Sequence, residues 1–482
     1  MAESSAWLKA WDKKIDGGKA KMLWSGAYWQ FQNAYGGVLH EGSDCDFNEN
    51  TPCALTSCTK VFTGMAVMRT MHLRPHDWYP SKYMHQFPGW EEWRDFVVLD
   101  NTDTDDGKAG WAGRTACVTV HQLLTHTSGW PFGLRASREK IRKVPLYFEP
   151  GTKFGYSIGH RILGWMLLDY WQKHPPQAHM FSGLLGGGTT PKFKTLNDVF
   201  KFLVYDPMNI SPETGFIQGK FQSPHSVMGE FFDMKFFDKA DITDDDDPAD
   251  LAMQSTGADM MKLAMVALRH GQLPDGSWYI DKKQWDDWAA SNKLPDGKLS
   301  SALADWKMEE WKLSFIWRTA LTRTVNAGPF GWSYFGATYH GDYSGDGNAG
   351  PPIAVGWKGF SSCGLRADYS ENLAFVAMQE IVPDPGCRNF GECIHEGKVG
   401  EFSIGQVARG LSGVKPEVLR NLKEKKKSCL PFHELMMHQE APACCTSCLQ
   451  GVIRGFFMCA LPLGVEVLSY HKYETKMPKK AK

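Results

Sequence analysis

Ser57-Cys58-Thr59-Lys60-Val61-Phe62-Thr63-Gly64-Met65-Ala66-Val67-Met68 is the stretch from which the rest of this chain is read. If the apolar run is a helix, Ser57 and Lys60 stand one turn apart on one face, where a hydroxyl and an amine can share a proton. A serine hydroxyl is a poor nucleophile at neutral pH, and a lysine accepts its proton only when burial or nearby positive charge lowers the amine pKa. A helix N-terminus also offers free backbone N–H groups to a developing oxyanion. Ser-x-x-Lys recurs at Ser137–Lys140, Ser412–Lys415 and Ser469–Lys472. Context separates the four. Ser137–Lys140 sits in a charged segment that reads as a solvated face, and the last two belong with a cysteine- and lysine-rich tail. Only Ser57 opens an apolar helix containing Gly64 and Ala66, small residues that permit close packing. Its bland alternative is a first-turn serine with Lys60 on the surface.

The chain has 482 residues with 43% hydrophobic and 22% charged residues, enough for two or three average domains or one large enzyme with a subdomain and a tail. A net charge of −1 gives no electrostatic case for nucleic acid as a partner. Nineteen tryptophans and 28 phenylalanines predict a heavily aromatic core or an aromatic-lined cleft. The first residues lack the apolar core of a secretory signal, so the expected location is cytoplasmic. Scattered cysteines such as Cys58, Cys117 and Cys363 lie in apolar contexts and need no partners.

Along the chain, an N-terminal helix is followed by sheet-forming segments around Met22–Tyr35 and Gly36–Glu41. The loop 100–107 carries Asp103, Asp105 and Gly107 but no glutamate at the spacing of an EF-hand, so it reads as solvated. Thr119 is a candidate N-cap for a short helix with Leu123 and Leu124, ending at Ser128-Gly129. His121 and His126 are five apart without the pattern of a zinc helix, and His126 is expected to be a satisfied structural histidine. Residues 160–171 read as a strongly apolar helix. Gly186–Gly188 and Asp244–Asp247 read as loops, and residues 255–268 as a capped helix stopped at Gly271.

From Pro352 the pattern turns to strands: Ile353–Phe360, then Cys363–Asp368, a turn at Tyr369–Asn372, and Leu373–Met378, read as antiparallel. Residues 413–482 form a Lys- and Cys-rich tail. Arg454, Pro462 and Glu466 interrupt its one apolar stretch, which makes a poor membrane span. Peripheral membrane attachment through acylated cysteines is the association such a tail offers. Cys444, Cys445 and Cys448 lack a second pair of zinc ligands, so no metal site is expected.

Four separated segments then agree: Ser57-x-x-Lys60 before a helix, Leu123-Leu-Thr-His-Thr-Ser-Gly129, Glu149-Pro-Gly-Thr-Lys-Phe-Gly-Tyr156-Ser-Ile158, and Trp357-Lys-Gly359. In order and rough spacing they resemble the serine β-lactamase and penicillin-binding-protein-like family. The chain looks most like its class C branch, and within that the carboxylesterases that share the β-lactamase fold. The resemblance spans roughly residues 20–400 and is more specific than any single motif. It implies an α+β fold, an α/β sandwich with a central antiparallel sheet flanked by helices, plus a mostly helical lobe drawn from about residues 70–340. The catalytic unit is then residues 1–412.

The resemblance also implies the site. Ser57 is the acylated nucleophile, Lys60 its base or relay, and Tyr156 a second proton-transfer group, a phenol that titrates well below its free value when it lies between ammonium groups. Backbone N–H groups of Ser57 and Phe360 hold the oxyanion, Gly359 lets an acyl group approach the strand, and Trp357 lies beside the bound substrate. The mechanism is acylation and hydrolysis without a metal or cofactor.

Two departures bear on the substrate. Lactam-acting relatives place Asn where this chain has Ile158, and a cationic Lys-Thr-Gly or His-x-Gly where it has Trp357-Lys358-Gly359. If Trp357 faces the cleft, Lys358 points away. Both changes replace polar recognition by an apolar pocket, which favours a small neutral ester over a β-lactam or D-amino-acid peptide. Two other readings compete. Gly155-Tyr-Ser157-Ile-Gly159 matches the nucleophile elbow of α/β-hydrolases, with Asp346 and His395 as partners, but the preceding residues are turn-like rather than a buried parallel strand. The fold also serves as a non-catalytic scaffold in some eukaryotic relatives, against which stand the intact Ser57, Lys60 and Tyr156.

Overall fold

The central sheet is built from the two ends of the described chain. The structure, a computed structural model, describes residues 24–44, 47–100, 110–130, 137–176, 192–217, 249–300, 330–340, 350–359, 363–381, 398–399 and 402–403. The N-terminal helix, the loops at 101–107, 186–188 and 244–247, Asp346, Phe360, His395 and the tail 413–482 lie outside these residues.

Strands β1 (Trp24–Asn33) and β2 (Val38–Asp44), where sheet-forming segments are expected, form an antiparallel hairpin. β1 then pairs antiparallel with the last long strand, β12 (Leu373–Ile381), through matches such as Trp29 with Ala377. Inward from β12 the order continues through β11 (Gly364–Asp368), β10 (Ala354–Lys358), β9 (Ala337–Tyr339) and β8 (Phe330–Trp332). Each pairing in this seven-stranded sheet is antiparallel. The expected strands after Pro352 are therefore found, with Asn372 taking the left-handed backbone (φ 55°) at the tight turn between β11 and β12.

Helix α1 (Thr59–Leu73) carries the opening stretch. Buried residues ring it on every side, including Thr59, Lys60, Thr63 and Thr70, so it has no solvent face and lies in the core. Gly64 is required by one contact: a Cβ there would overlap the Tyr334 carbonyl oxygen. Helix α2 (Val120–Leu124) starts at the expected cap, with the Thr119 hydroxyl accepting from the Gln122 N–H at 3.2 Å and the Gln122 side chain returning the bond. It ends earlier than expected, because His126 adopts a left-handed backbone (φ 57°). Helices α3 (Arg138–Arg142), α4 (Gly159–Lys173), α5 (Leu196–Phe200) and α6 (Asp206–Met208) follow. Helix α7 (Gly257–Leu268), capped by Thr256, packs on β11, β12 and β1, and Gly271 (φ 90°) follows it.

Smaller sheets escape the sequence reading. A hairpin joins β4 (Phe96–Asp100) to β5 (Gly110–Ala116). A three-stranded sheet places β7 (Met253–Ser255) between β3 (Cys53–Ala54) and β6 (Gly215–Phe216). It brings residues 249–255 alongside the start of α1.

Candidate active site

Ser57 sits in a 3-10 turn, Thr56–Cys58, that leads directly into α1 rather than in the helix itself. Because the turn runs straight into the helix, Lys60 follows Ser57 by about one turn. The turn is held from two sides. From β7, the Met253 carbonyl accepts from the Leu55 N–H at 2.8 Å, and the Met253 N–H donates to the Thr59 hydroxyl at 3.2 Å. From the sheet, the end of β10 presses on the turn so closely that a Cβ at Gly359 would overlap the Leu55 carbonyl and Thr56 hydroxyl oxygens. The missing side chain of Gly359 is therefore required by the nucleophile turn itself. Thr56 takes a left-handed backbone (φ 46°), costly for a β-branched residue and held in place by this packing.

The structure brings Ser57, Lys60, Tyr156 and Trp357 together. Ser57, half-buried, lies close enough to the Tyr156 phenol to pull its pKa down, and the Trp357 indole N–H donates to the phenol oxygen at 3.0 Å. Trp357 thus faces the site, which by strand alternation turns Lys358 to the other side of β10. The Lys60 ammonium lies 4.8 Å from the centre of the Tyr156 ring and donates to the Asp250 backbone carbonyl at 2.7 Å. Lys60 is only 2% exposed. Burial pulls its amine down to about 8, the Asp250 carboxylate opposing and the Arg161 guanidinium adding to the fall.

Tyr156 departs from expectation. Burial raises its phenol above the ordinary range, outweighing the downward pull of Ser57 and Trp357, so it stays neutral through the physiological range instead of titrating below its free value. Ile158, buried at the N-cap of α4, presents an apolar side chain where lactam-acting relatives carry an amide.

Around this group lies a buried polar layer that the motifs do not announce. Arg161 (6% exposed) on α4 grips the Asp250 carboxylate (3% exposed) with Nε to Oδ1 at 2.9 Å and Nη2 to Oδ2 at 3.4 Å. His126 accepts the Ser157 N–H on Nδ1 at 3.0 Å, so its ring proton is on Nε2, which is buried without a partner among the described residues. The expectation of a fully satisfied histidine holds for one nitrogen only. The His160 ring lies tilted at 4.9 Å from that of His126, its own Nδ1 also without a partner among the described residues. Burial, then nearby positive charge, pushes both imidazoles well below their ordinary pKa. A buried arginine facing an aspartate 89 positions away has no local signature. The clue available in the sequence was Arg161 itself, a charge at the start of the helix, just before its long apolar run.

Ser157 is 1% exposed and follows turns rather than a strand, and the sheet contains no parallel pair among the described residues. The nucleophile-elbow reading, which needs a parallel strand entering that turn, is overturned. No group of three or more His, Cys, Asp or Glu among the described residues is placed to hold a metal ion, and no described helix is long and apolar enough to cross a membrane.

Residues 25–167, the span that holds Ser57, Lys60 and Tyr156, match the Beta-lactamase family model. The chain carries a β-lactamase-family fold. Its structure is similar to that of unliganded simvastatin synthase (LovD) from Aspergillus terreus, at 15% identity over 83% of this chain and 97% of that chain, with a TM-score of 0.51. The LovD9 mutant of that enzyme aligns at 14% identity over 81% and 96% of the two chains, with a TM-score of 0.50. EstCE1, a hydrolase with promiscuous acyltransferase activity, aligns at 14% identity over 83% and 96%, with a TM-score of 0.46. At such identities the likeness is one of fold. No curated protein matches the chain. Serine hydrolases and acyltransferases are built on the β-lactamase-family fold.

Proposed function

We propose that this chain is a serine hydrolase that cleaves small neutral esters through an acyl-enzyme on Ser57. The observation that carries the reading is the convergence of the half-buried Ser57 on a buried, neutral Tyr156 whose ring lies against a lysine with a lowered pKa. At pH 7.4 about one Lys60 in five is an unprotonated amine, a usable base in an otherwise closed site.

Ser57 Oγ attacks the ester carbonyl. Its proton passes to Tyr156 as the phenol gives its own to Lys60, so the phenol remains neutral throughout. When the tetrahedral intermediate collapses, the C–O bond to the alcohol breaks and the proton returns along the same path to the leaving oxygen. Water then attacks the acyl-enzyme with the proton movements repeated, releasing the acid and restoring Ser57. The Ser57 N–H, at the head of α1, and Phe360 are the oxyanion donors this scheme calls on. It calls on no metal or cofactor, and its partner is a small molecule. The Trp357 indole, a neutral donor where relatives have a cation, and the apolar Ile158 favour neutral esters over β-lactams and D-peptides.

A fluorophosphonate probe, short p-nitrophenyl esters and a chromogenic cephalosporin test this together. Labelling and ester hydrolysis are expected in the wild type and in Ser157→Ala, and both are expected to vanish in Ser57→Ala. Cephalosporin turnover exceeding ester turnover would reverse the substrate assignment. A folded wild type that neither labels nor hydrolyses would return the chain to a scaffold role.

A further inference from the structure

The Lys60 side chain ends in a pocket of groups drawn from several elements. They are Cys58 beside it, Tyr156 and His160 at the start of α4, His126 after α2, Arg161 on α4, and Asp250 before β7. Burial holds four of these neutral at physiological pH: the Cys58 thiol and Tyr156 phenol are raised, and the His126 and His160 imidazoles are lowered. Among the described residues, the charges left facing Lys60 are the Arg161 guanidinium and the Asp250 carboxylate.

Those two are bonded to each other, and the same Asp250 supplies the backbone carbonyl that takes the Lys60 N–H. Helix α4 is fitted to this segment: one turn beyond Arg161, Gly164 faces Ala249 with no room for a Cβ. Ala249 in turn accepts from the Thr63 hydroxyl, one turn beyond Lys60 on α1. Arg161, Asp250 and Lys60 therefore form a rigid chain from α4 through the 249–250 backbone to α1. A buried ion pair of this kind contributes little net stability against an apolar replacement, so its presence next to the base asks for another reason.

We infer that the Arg161–Asp250 ion pair is the positioning device for Lys60, fixing the carbonyl that orients the amine and balancing the field in which the amine gains and loses its proton. The guanidinium disfavours the ammonium and the carboxylate favours it, so the intact pair leaves the site nearly neutral. Opening the pair from either side moves the lysine in opposite directions. The inference rests on the reading that Lys60 serves Ser57 as base.

The test is the pH dependence of fluorophosphonate labelling of the full chain, with circular dichroism confirming the fold of each variant. In the wild type the rate is expected to rise with pH through a limb near 8. Asp250→Asn leaves the guanidinium alone and is expected to move the limb down by about one pH unit; Arg161→Gln leaves the carboxylate alone and is expected to move it up by about the same. The double variant is expected to bring it back toward the wild-type position. Arg161→Lys keeps the charge but loses the fork, so its limb is expected to stay while its plateau rate falls several-fold, and it carries the test if either single variant fails to fold. Shifts in the same direction, no shift in either variant, or a displaced limb in Arg161→Lys would overturn the inference while leaving the role of Ser57 intact. Absence of labelling in the wild type would overturn the role of Ser57 and this inference with it.

Discussion

Tyr156 and Trp357 mark how far a motif reaches at the scale of one residue. The four motif segments identify which side chains to bring together, and the fold does assemble Ser57, Lys60, Tyr156 and Trp357. What they leave out is the field at each atom, which depends on burial created by residues far away in sequence. A phenol imagined between two ammonium groups turns out to face one lysine and an indole N–H inside a closed core, and desolvation decides its protonation. That arrangement makes the indole N–H a functional group rather than packing. Trp357→Phe keeps the ring against Trp332 and Tyr156 but removes the donor. Loss of one such bond to a group that moves protons is expected to lower kcat about tenfold with little change in KM. Ester kinetics read this directly; an unchanged kcat would reduce Trp357 to a wall of the site.

At the scale of elements, legibility follows length and periodicity. The β1–β2 hairpin, the strands after Pro352 and the helices α4 and α7 each carry enough alternating or helical pattern to be read. The strands β3, β6 and β7 hold two or three residues apiece, too few for any period to appear, yet they fix the nucleophile turn. Close backbone contacts are equally hidden, although a glycine in an apolar helix hints at one. Gly64→Ala places a Cβ against the Tyr334 backbone carbonyl, which cannot rotate away, and is expected to cost roughly 1–3 kcal/mol. Gly350→Ala, at a position with nothing within 4 Å among the described residues and no left-handed backbone, is the matched control and is expected to leave the thermal midpoint unchanged. Equal midpoints for the two variants would contradict the packing of α1 against the loop between β8 and β9.

On the scale of the whole molecule, the join of β1 to β12 links residues some 350 positions apart, and local pattern has no access to it; the family resemblance implied a central antiparallel sheet but not which strands meet in it. The large aromatic core that results also sets a window of pH stability. His126 and His160 are held neutral by burial, so below about pH 6.5 the unfolded chain binds protons that the folded chain refuses, and stability falls with pH by up to about 1.4 kcal/mol per unit for each ring. At the other end, burial raises the phenols of Tyr156, Tyr279, Tyr334, Tyr339 and Tyr369. Above about pH 10 the unfolded chain sheds these protons while the folded chain keeps them, so stability is lost with rising pH, again by up to about 1.4 kcal/mol per unit for each group. Lys60 acts in the opposite sense between about 8 and its ordinary value near 10.5, since the folded chain loses that proton first, but one amine does not offset five phenols. Thermal midpoints measured from pH 5 to 11 are therefore expected to fall below about 6.5, to rise between about 8 and 10 as the Lys60 contribution grows, and to fall most steeply above about 10, with phenolate absorbance from these tyrosines rising together with the loss of structure. Phenolate absorbance completed near pH 10 in a chain that is still folded would mean that these rings are open to water, and the closed site around Tyr156 would go with them.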